Sequence, residues 1–262
     1  MLPADLRQAL AAAARAPRVV VASDFDGVLS PLQDDPAASR PVPGAIEALR
    51  AAAALPGTTV ALVSGRDAAT LATISGVDPG EAIVLVASHG SQSSRPDLVM
   101  PADLDAAQEG LLRDLGAGLA DVVAAHPAAR VEHKPSAVVL HTRGIDPADA
   151  ADATEAALDL AEAHPGTHVL RGKDVVELGV VELSKGAALT QLARSVEARA
   201  TVYFGDDVTD ERAFEVLDPG RGDVTVKVGE GDTLAAHRLD GIPEVVEALR
   251  YVAAERAAAV EA

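Results

Sequence analysis

A chain of 262 residues, 48% of them hydrophobic, is long enough for one large domain or for a core domain carrying a smaller insert. A formal net charge of -18, with only 2% aromatic residues, argues against a nucleic-acid partner, because a polyanion is repelled and bases find few rings to stack on. With no Cys, disulfides, thiolate catalysis and Cys-based zinc sites are excluded and the cytoplasm is the default compartment; no segment approaches the ~18 to 20 apolar residues that span a bilayer.

In chain order, the Ala-rich stretch 10–14 is flanked by Asp5, Arg7 and Arg15 and reads as a helix packed on a core. The apolar run 19–23 predicts a strand, and it ends in Asp24-Phe25-Asp26-Gly27. A helix is expected over 43–53 and a strand over 59–63, which closes on Ser64-Gly65-Arg66 before a helix over 67–74. A third strand, 83–87, leads to Ser88-His89-Gly90 and then to a polar stretch, 91–97, that reads as a hinge. The middle of the chain changes rhythm: a helix over 103–125, strands over 129–133 and 137–142, a helix over 147–163, and strands over 167–171 and 175–178. A second hinge is expected at 179–183. The β-α alternation then resumes with helices over 185–196, 210–217 and 243–255 and strands over 202–204 and 224–228. Short continuous apolar strands separated by helices are those of a parallel sheet buried on both faces. The reading is therefore an α/β, doubly wound parallel-sheet core over 1–98 and 182–262, with a smaller α+β cap domain inserted over 99–181.

The carboxyl ends of strands in an open α/β sheet line its ligand crevice, and Asp24 and Asp26 both stand there. Two carboxylates so close call for a cation or for one shared proton, unless the stretch is an ordinary surface turn. Gly205-Asp206-Asp207, with Asp210 and Glu211 beyond, ends another strand in acid. Hard oxygens without Cys favour Mg²⁺, although Asp near a first turn also suits a helix N-terminus. Ser64 and the N–H groups around Gly65 and Arg66 could hold a phosphate oxygen or cap a helix. Lys185 opens a helix, where a cation opposes the macrodipole; pairing with the acidic cluster would explain it, and a solvated surface position is the alternative. In the inserted segment, Glu132, Lys134 and Ser136 alternate as on one strand face, which suits either an anionic polyhydroxylated ligand or solvent. Lys173 and Glu177 could be a hairpin's surface ion pair.

The order Asp-x-Asp-Gly, Ser-Gly-Arg, Lys, Gly-Asp-Asp-x-x-Asp resembles the haloacid dehalogenase superfamily of phosphotransferases. The inserted segment narrows this: Glu132-His133-Lys134-Pro135-Ser136, His141-Thr142-Arg143 and Gly172-Lys173-Asp174-Val175-Val176-Glu177 are similar to the sugar-binding stretches of the trehalose-phosphatase family. Thr142 replaces that family's usual aromatic residue, and Gly179-Val180 its Arg-Pro. The resemblance implies a phosphatase that cleaves trehalose 6-phosphate through an aspartyl-phosphate. Asp24 would be its nucleophile and Asp26 its general acid and base, with Ser64 and Lys185 on the phosphoryl oxygens. It also implies Mg²⁺ held by the Asp24 side chain, the Asp26 backbone carbonyl and Asp206, with Asp207 and Asp210 orienting that shell. Gly65, Arg66, His89, Glu132, Lys134, Ser136, His141, Arg143, Lys173 and Glu177 would bind substrate. A phosphatase for a sucrose- or mannosyl-type substrate shares the same core, and a non-catalytic sugar-phosphate sensor would have been expected to lose Asp24, Asp26, Lys185 or Asp206. A monomer whose partner is a small sugar phosphate is expected, with no membrane or nucleic acid involved.

Overall fold

The computed structural model describes residues 1–33, 35–98, 104–172, 174–181 and 183–261. The chain divides into two compact units, Met1–Met100 with Ser184–Ala262, and Pro101–Leu183.

The first part of the larger unit runs α1 (Ala4–Ala14), β1 (Val19–Ser23), α2 (Ala45–Ala53), β2 (Thr58–Val63), α3 (Ala68–Ser75), β3 (Ile83–Ala87) and β4 (Gln92–Ser93). The smaller unit contains α4 (Ala106–Ala125), β5 (Arg130–Lys134), β6 (Ala137–His141), α5 (Pro147–Glu162), β7 (His168–Gly172) and β8 (Val175–Gly179). The chain then completes the larger unit with α6 (Lys185–Ser195), β9 (Ala200–Gly205), α7 (Val208–Val216), β10 (Val224–Val228), β11 (His237–Leu239) and α8 (Ile242–Glu261).

The larger unit's strands form one sheet in the order β11-β10-β9-β1-β2-β3-β4, parallel except where β4 pairs antiparallel with β3. All five residues of β1 are buried, and side chains of a strand alternate between faces, so the run must find apolar partners on both sides. Val19 and Val21 join Leu6, Leu10, Leu49 and Leu249 from α1, α2 and α8 in one core cluster; Val20 and Ala22 join Leu189, Leu192 and Phe214 from α6 and α7 in another. That two-sided burial is the physical content of the doubly wound α/β class. Since β1 lies between β2 and β9, the residue after each of these strands arrives at the same sheet edge.

Two polar segments depart from the expected pattern. Residues 91–97 are not merely a connecting stretch, since Gln92 and Ser93 pair with β3 and Pro96–Leu98 forms a 3-10 turn. His237–Leu239 adds a parallel strand beside β10 that its polar His and Arg had hidden. Among the described residues no helix is long and apolar enough to cross a membrane.

The smaller unit is a four-stranded antiparallel sheet, β5-β6-β8-β7, with α4 and α5 packed on one face. Leu115, Leu119, Ala153 and Ala157 meet Val138, Leu140, Val176 and Leu178 there. Asp105 with Gln108 forms a capping box on α4, and Asp146 caps α5 with Pro147 as its first residue, so both helix starts are satisfied locally. Ser136 is not on a strand: it sits with Pro135 in the two-residue turn between β5 and β6, because pairing ends at Lys134↔Ala137. It does not share a strand face with Glu132 and Lys134.

Candidate active site

Asp24 leaves β1 anchored by its N–H to the Phe204 carbonyl, and its side chain is 8% exposed. One of its oxygens accepts the Phe25 N–H at 2.6 Å and the other accepts Lys185 Nζ at 2.7 Å. Burial pushes the Asp24 carboxyl up to about 7, with Lys185 pulling it back and Asp210 adding to the rise. Lys185, the first residue of α6, is itself buried and reaches Asp210 at 2.8 Å. Burial alone would lower the Lys185 pKa, but the Asp24 and Asp210 carboxylates outweigh it and raise it. The cation at this helix start is thus held by acids, not solvent.

Asp210 is fully engaged. Its Oδ1 accepts Lys185 Nζ and the Tyr203 hydroxyl, the latter at 2.6 Å, and its Oδ2 accepts the backbone N–H groups of Asp206 at 2.9 Å and Asp207 at 3.0 Å. With two donors on each oxygen, Asp210 organises the turn between β9 and α7 and has little capacity left for a metal. Asp206 differs. Its Oδ1 is buried without a hydrogen-bond partner, and burial first, then Asp210, pushes its pKa up to about 6. A buried, unpartnered carboxylate oxygen calls for a cation. Ligand atoms of Asp24, Asp206 and Asp210 lie within 4.8 Å of one another, an oxygen-only set suited to a hard divalent ion, and the unsatisfied oxygen makes Asp206 its natural partner with Asp24. Gly27, at φ +76°, makes room for this arrangement: a Cβ there would fall on the Asp206 carboxylate.

Asp26 is turned to Arg66. The guanidinium holds both carboxylate oxygens, Nε to Oδ2 at 2.5 Å and a terminal nitrogen to Oδ1 at 2.9 Å, and also donates to Ser39 Oγ at 3.1 Å. Ser64 follows β2, its N–H on the Val86 carbonyl, and its Oγ accepts the Arg66 N–H at 3.2 Å. Ser88 and His89 both adopt left-handed backbone, at φ +48° and +56°, a strained choice for residues with a Cβ. The conformation lays the imidazole against Gly65, where a Cβ would come within 2.8 Å of the ring. Burial, then Lys185, lowers the His89 pKa. Asp24, Asp26, Ser64, Gly65, Arg66, His89, Lys185 and Asp207 line one cleft of about 480 Å³ together with Pro36 and Thr209.

In the smaller unit, the face away from α4 and α5 carries Glu132, Val139 and Glu177 in one row across β5, β6 and β8. Lys134 donates to Glu177 at 2.6 Å, and Glu132 pairs with His141 Nε2 at 2.8 Å. Glu177 therefore has Lys134 as partner. Arg143 is exposed just beyond β6, Ser136 lies in the hairpin turn, and Lys173 falls outside the described residues.

The trehalose-phosphatase family model matches residues 22–240. The chain belongs to the trehalose-phosphatase family. The match spans both the cleft of the larger unit and the polar face of the smaller one, the two regions whose motifs resembled that family. It is 36% identical over 257 residues to the trehalose-phosphate phosphatase of Mycobacterium tuberculosis, covering 93% of this chain and 64% of that protein. The chain spans 51% to 64% of the length of the mycobacterial relatives it matches. A trehalose-6-phosphate phosphatase structure from Aspergillus fumigatus superposes with a TM-score of 0.65 at 25% identity, covering 95% of this chain and 97% of that one. A haloacid dehalogenase-like hydrolase from Bacteroides thetaiotaomicron, 13% identical, shares the fold with a TM-score of 0.57 over 88% of this chain and 98% of its own.

Three groups at this family member's site escaped the sequence reading. Tyr203 lies inside an apolar strand, Ser39 in a connecting segment, and Lys227 in the run Val-Thr-Val-Lys-Val, where alternation suggests an exposed position. All three are buried, and Lys227 Nζ donates to the Asp206 carbonyl. The only signal was a long-chain cation within a strand predicted to be covered on both faces.

Proposed function

We propose that the chain hydrolyses trehalose 6-phosphate to trehalose and phosphate. The observation that carries the reading is the buried Asp24–Lys185–Asp210 chain beside the unpartnered Asp206 oxygen, in a member of this family. An Asp24 oxygen attacks phosphorus and the bond from phosphorus to the sugar oxygen breaks, giving an aspartyl-phosphate. Asp26 delivers a proton to the departing sugar oxygen. It then removes one from the water that attacks the phosphorus and regenerates the Asp24 carboxylate. Arg66 holds Asp26 in the free protein; an arriving phosphate dianion competes for the same guanidinium and frees Asp26 for a proton. Ser64 and Lys185 donate to the phosphoryl oxygens, where charge stabilisation dominates the barrier. Asp24 and Asp206, with the Asp26 carbonyl, would hold Mg²⁺, which supplies further charge neutralisation. Glu132, Lys134, Ser136, His141, Arg143, Lys173 and Glu177 are assigned to the sugar, whose hydroxyls suit their mixed donors and acceptors. A cytoplasmic monomer belongs to the same proposal.

The test is phosphate release from a panel of sugar phosphates and an aryl phosphate, with and without Mg²⁺. Trehalose 6-phosphate should be the preferred member, Asp24→Asn should abolish release from all, and Lys134→Ala should raise KM for the disaccharide more than for the aryl ester. Near-normal turnover by Asp24→Asn would overturn the chemistry; preference for a sucrose- or mannosyl-type phosphate would overturn the substrate alone.

A further inference from the structure

Lys227 sits on β10 directly opposite Gly205, the last residue of β9, and its side chain turns into the protein instead of out to solvent. The residue is 5% exposed, and among the described residues its ammonium makes a single hydrogen bond, to the backbone carbonyl of Asp206. Burying an ammonium with one neutral acceptor is unfavourable, so another interaction must compensate. The neighbouring charges supply it. Asp24, Asp206 and Asp210 bring three carboxylates together, and Lys185 neutralises one. Asp26 and Arg66 form a self-neutralising pair, and Asp207 is solvent-exposed. With Lys227 the buried set holds three negative and two positive charges when all are ionised, a net of minus one. A divalent cation turns that to plus one. Without Lys227 the same cation would leave this set neutral, and in a chain of net charge -18 the pull on a phosphate dianion would fall to what Arg66 offers as it exchanges Asp26 for the phosphate.

We propose that Lys227 is a positioning residue of the phosphoryl centre: through its hold on the Asp206 carbonyl it places a second buried positive charge there, favouring the phosphate at some cost in affinity for the divalent cation. The inference rests on the phosphatase reading above and adds a residue to it. Its signature is a pair of opposite shifts. Lys227 is hydrogen-bonded to the backbone of Asp206, a residue that would hold the ion, and repulsion between its ammonium and a divalent ion there outweighs what one hydrogen bond contributes, so removing Lys227 tightens metal binding even as the carbonyl loses its donor. Phosphate binding to the metal-loaded protein weakens in the same variant.

The full chain is titrated with Mn²⁺, the free ion being followed by its electron paramagnetic resonance signal. Inorganic phosphate is then titrated calorimetrically into the Mn²⁺-loaded protein. Lys227→Met is expected to lower the Mn²⁺ dissociation constant several-fold and to raise that of phosphate roughly ten-fold, a change of about 1.4 kcal/mol. Lys227→Gln removes the same charge while keeping a donor, so it gives the same two shifts and serves if the methionine variant does not fold. Lys227→Arg restores phosphate affinity toward the parent value. Metal affinity that falls or stays unchanged in the neutral variants, or unchanged phosphate affinity, overturns the role of Lys227. If the unsubstituted chain binds neither Mn²⁺ nor phosphate, it is the phosphatase reading that fails.

Discussion

Replacing Asp210 with Asn changes one atom of a side chain that accepts four hydrogen bonds, two on each oxygen. An amide has one oxygen, and its NH₂ can only donate. Turned one way, that NH₂ faces Lys185 Nζ and the Tyr203 hydroxyl; turned the other, it faces the N–H groups of Asp206 and Asp207. Either orientation loses two bonds and sets donor against donor in a site where Asp210 is fully buried. Hydrogen bonds to a charged group contribute ~1.5 to 3 kcal/mol each, so the two lost bonds sum to ~3 to 6 kcal/mol. For a chain of this size that is a fall in Tm on the order of 10 °C. Activity should fall by at least ~100-fold, since Lys185 and the Asp206 turn both lose their anchor and an ångström of misplacement is that costly. Urea unfolding followed by circular dichroism measures the first effect and phosphate release the second. Tyr203→Phe, which removes one bond and leaves the carboxylate intact, should cost about half as much, ~1.5 to 3 kcal/mol. An Asp210→Asn protein within ~1 kcal/mol of the parent and with its kcat intact would refute the four-bond account.

Arg256 offers a test far from the cleft. All five of its N–H groups donate to the carbonyls of Ala14, Ala16, Pro17 and Pro56, tying α8 to the segments before β1 and β2. Arg256→Met should destabilise by ~3 to 5 kcal/mol by leaving those carbonyls unpaired, and Arg256→Lys should rescue little because an ammonium cannot supply the planar fork; a loss below ~1 kcal/mol would contradict this. Glu81 is held at about 2, below its ordinary 4.5, chiefly by Arg50, which it meets at 2.7 Å on a partly exposed surface. A depressed carboxyl stabilises the fold above its unfolded pKa and loses that contribution as pH falls from about 4.5 toward 2. The stability gap between parent and Glu81→Gln should therefore be small, given solvent screening, present at pH 6, and shrinking in that window; a gap independent of pH would refute the assignment.

The strands of the larger unit were legible because burial on both faces leaves a continuous apolar run, and Val19–Ser23, Ile83–Ala87 and Val224–Val228 match their predicted ranges residue for residue. Asp24, Ser64 and Asp206 were legible for the same reason, since each stands where such a run stops. His237–Leu239 was not, because an edge strand beside β10 needs only one covered face and tolerates His and Arg. Ser136 was misplaced onto a strand because alternation continues through a two-residue turn without a break in the pattern. Lys227 and Arg256 carry no local signature at all. Their partners lie 21 residues away at Asp206 and 200 or more away at Pro56 and Ala14, so their roles come only from tertiary structure.

The placement of β1 at the middle of its sheet has a consequence for how the chain reaches its native state. Val19 pairs with Thr58 on one side and with Ala200 on the other, and residues 101–183 of the intervening chain form the smaller unit. Synthesis therefore delivers the central strand with only half its partners and leaves its other edge open until the smaller unit has been made. Closing so long a loop costs entropy that grows with the logarithm of its free length. A smaller unit that has already collapsed shortens that free length and brings β9 within reach of β1 sooner. The insert thus acts on the folding rate of the sheet that surrounds it in sequence, and the open edge of β1 is the surface that nascent chains must protect from one another.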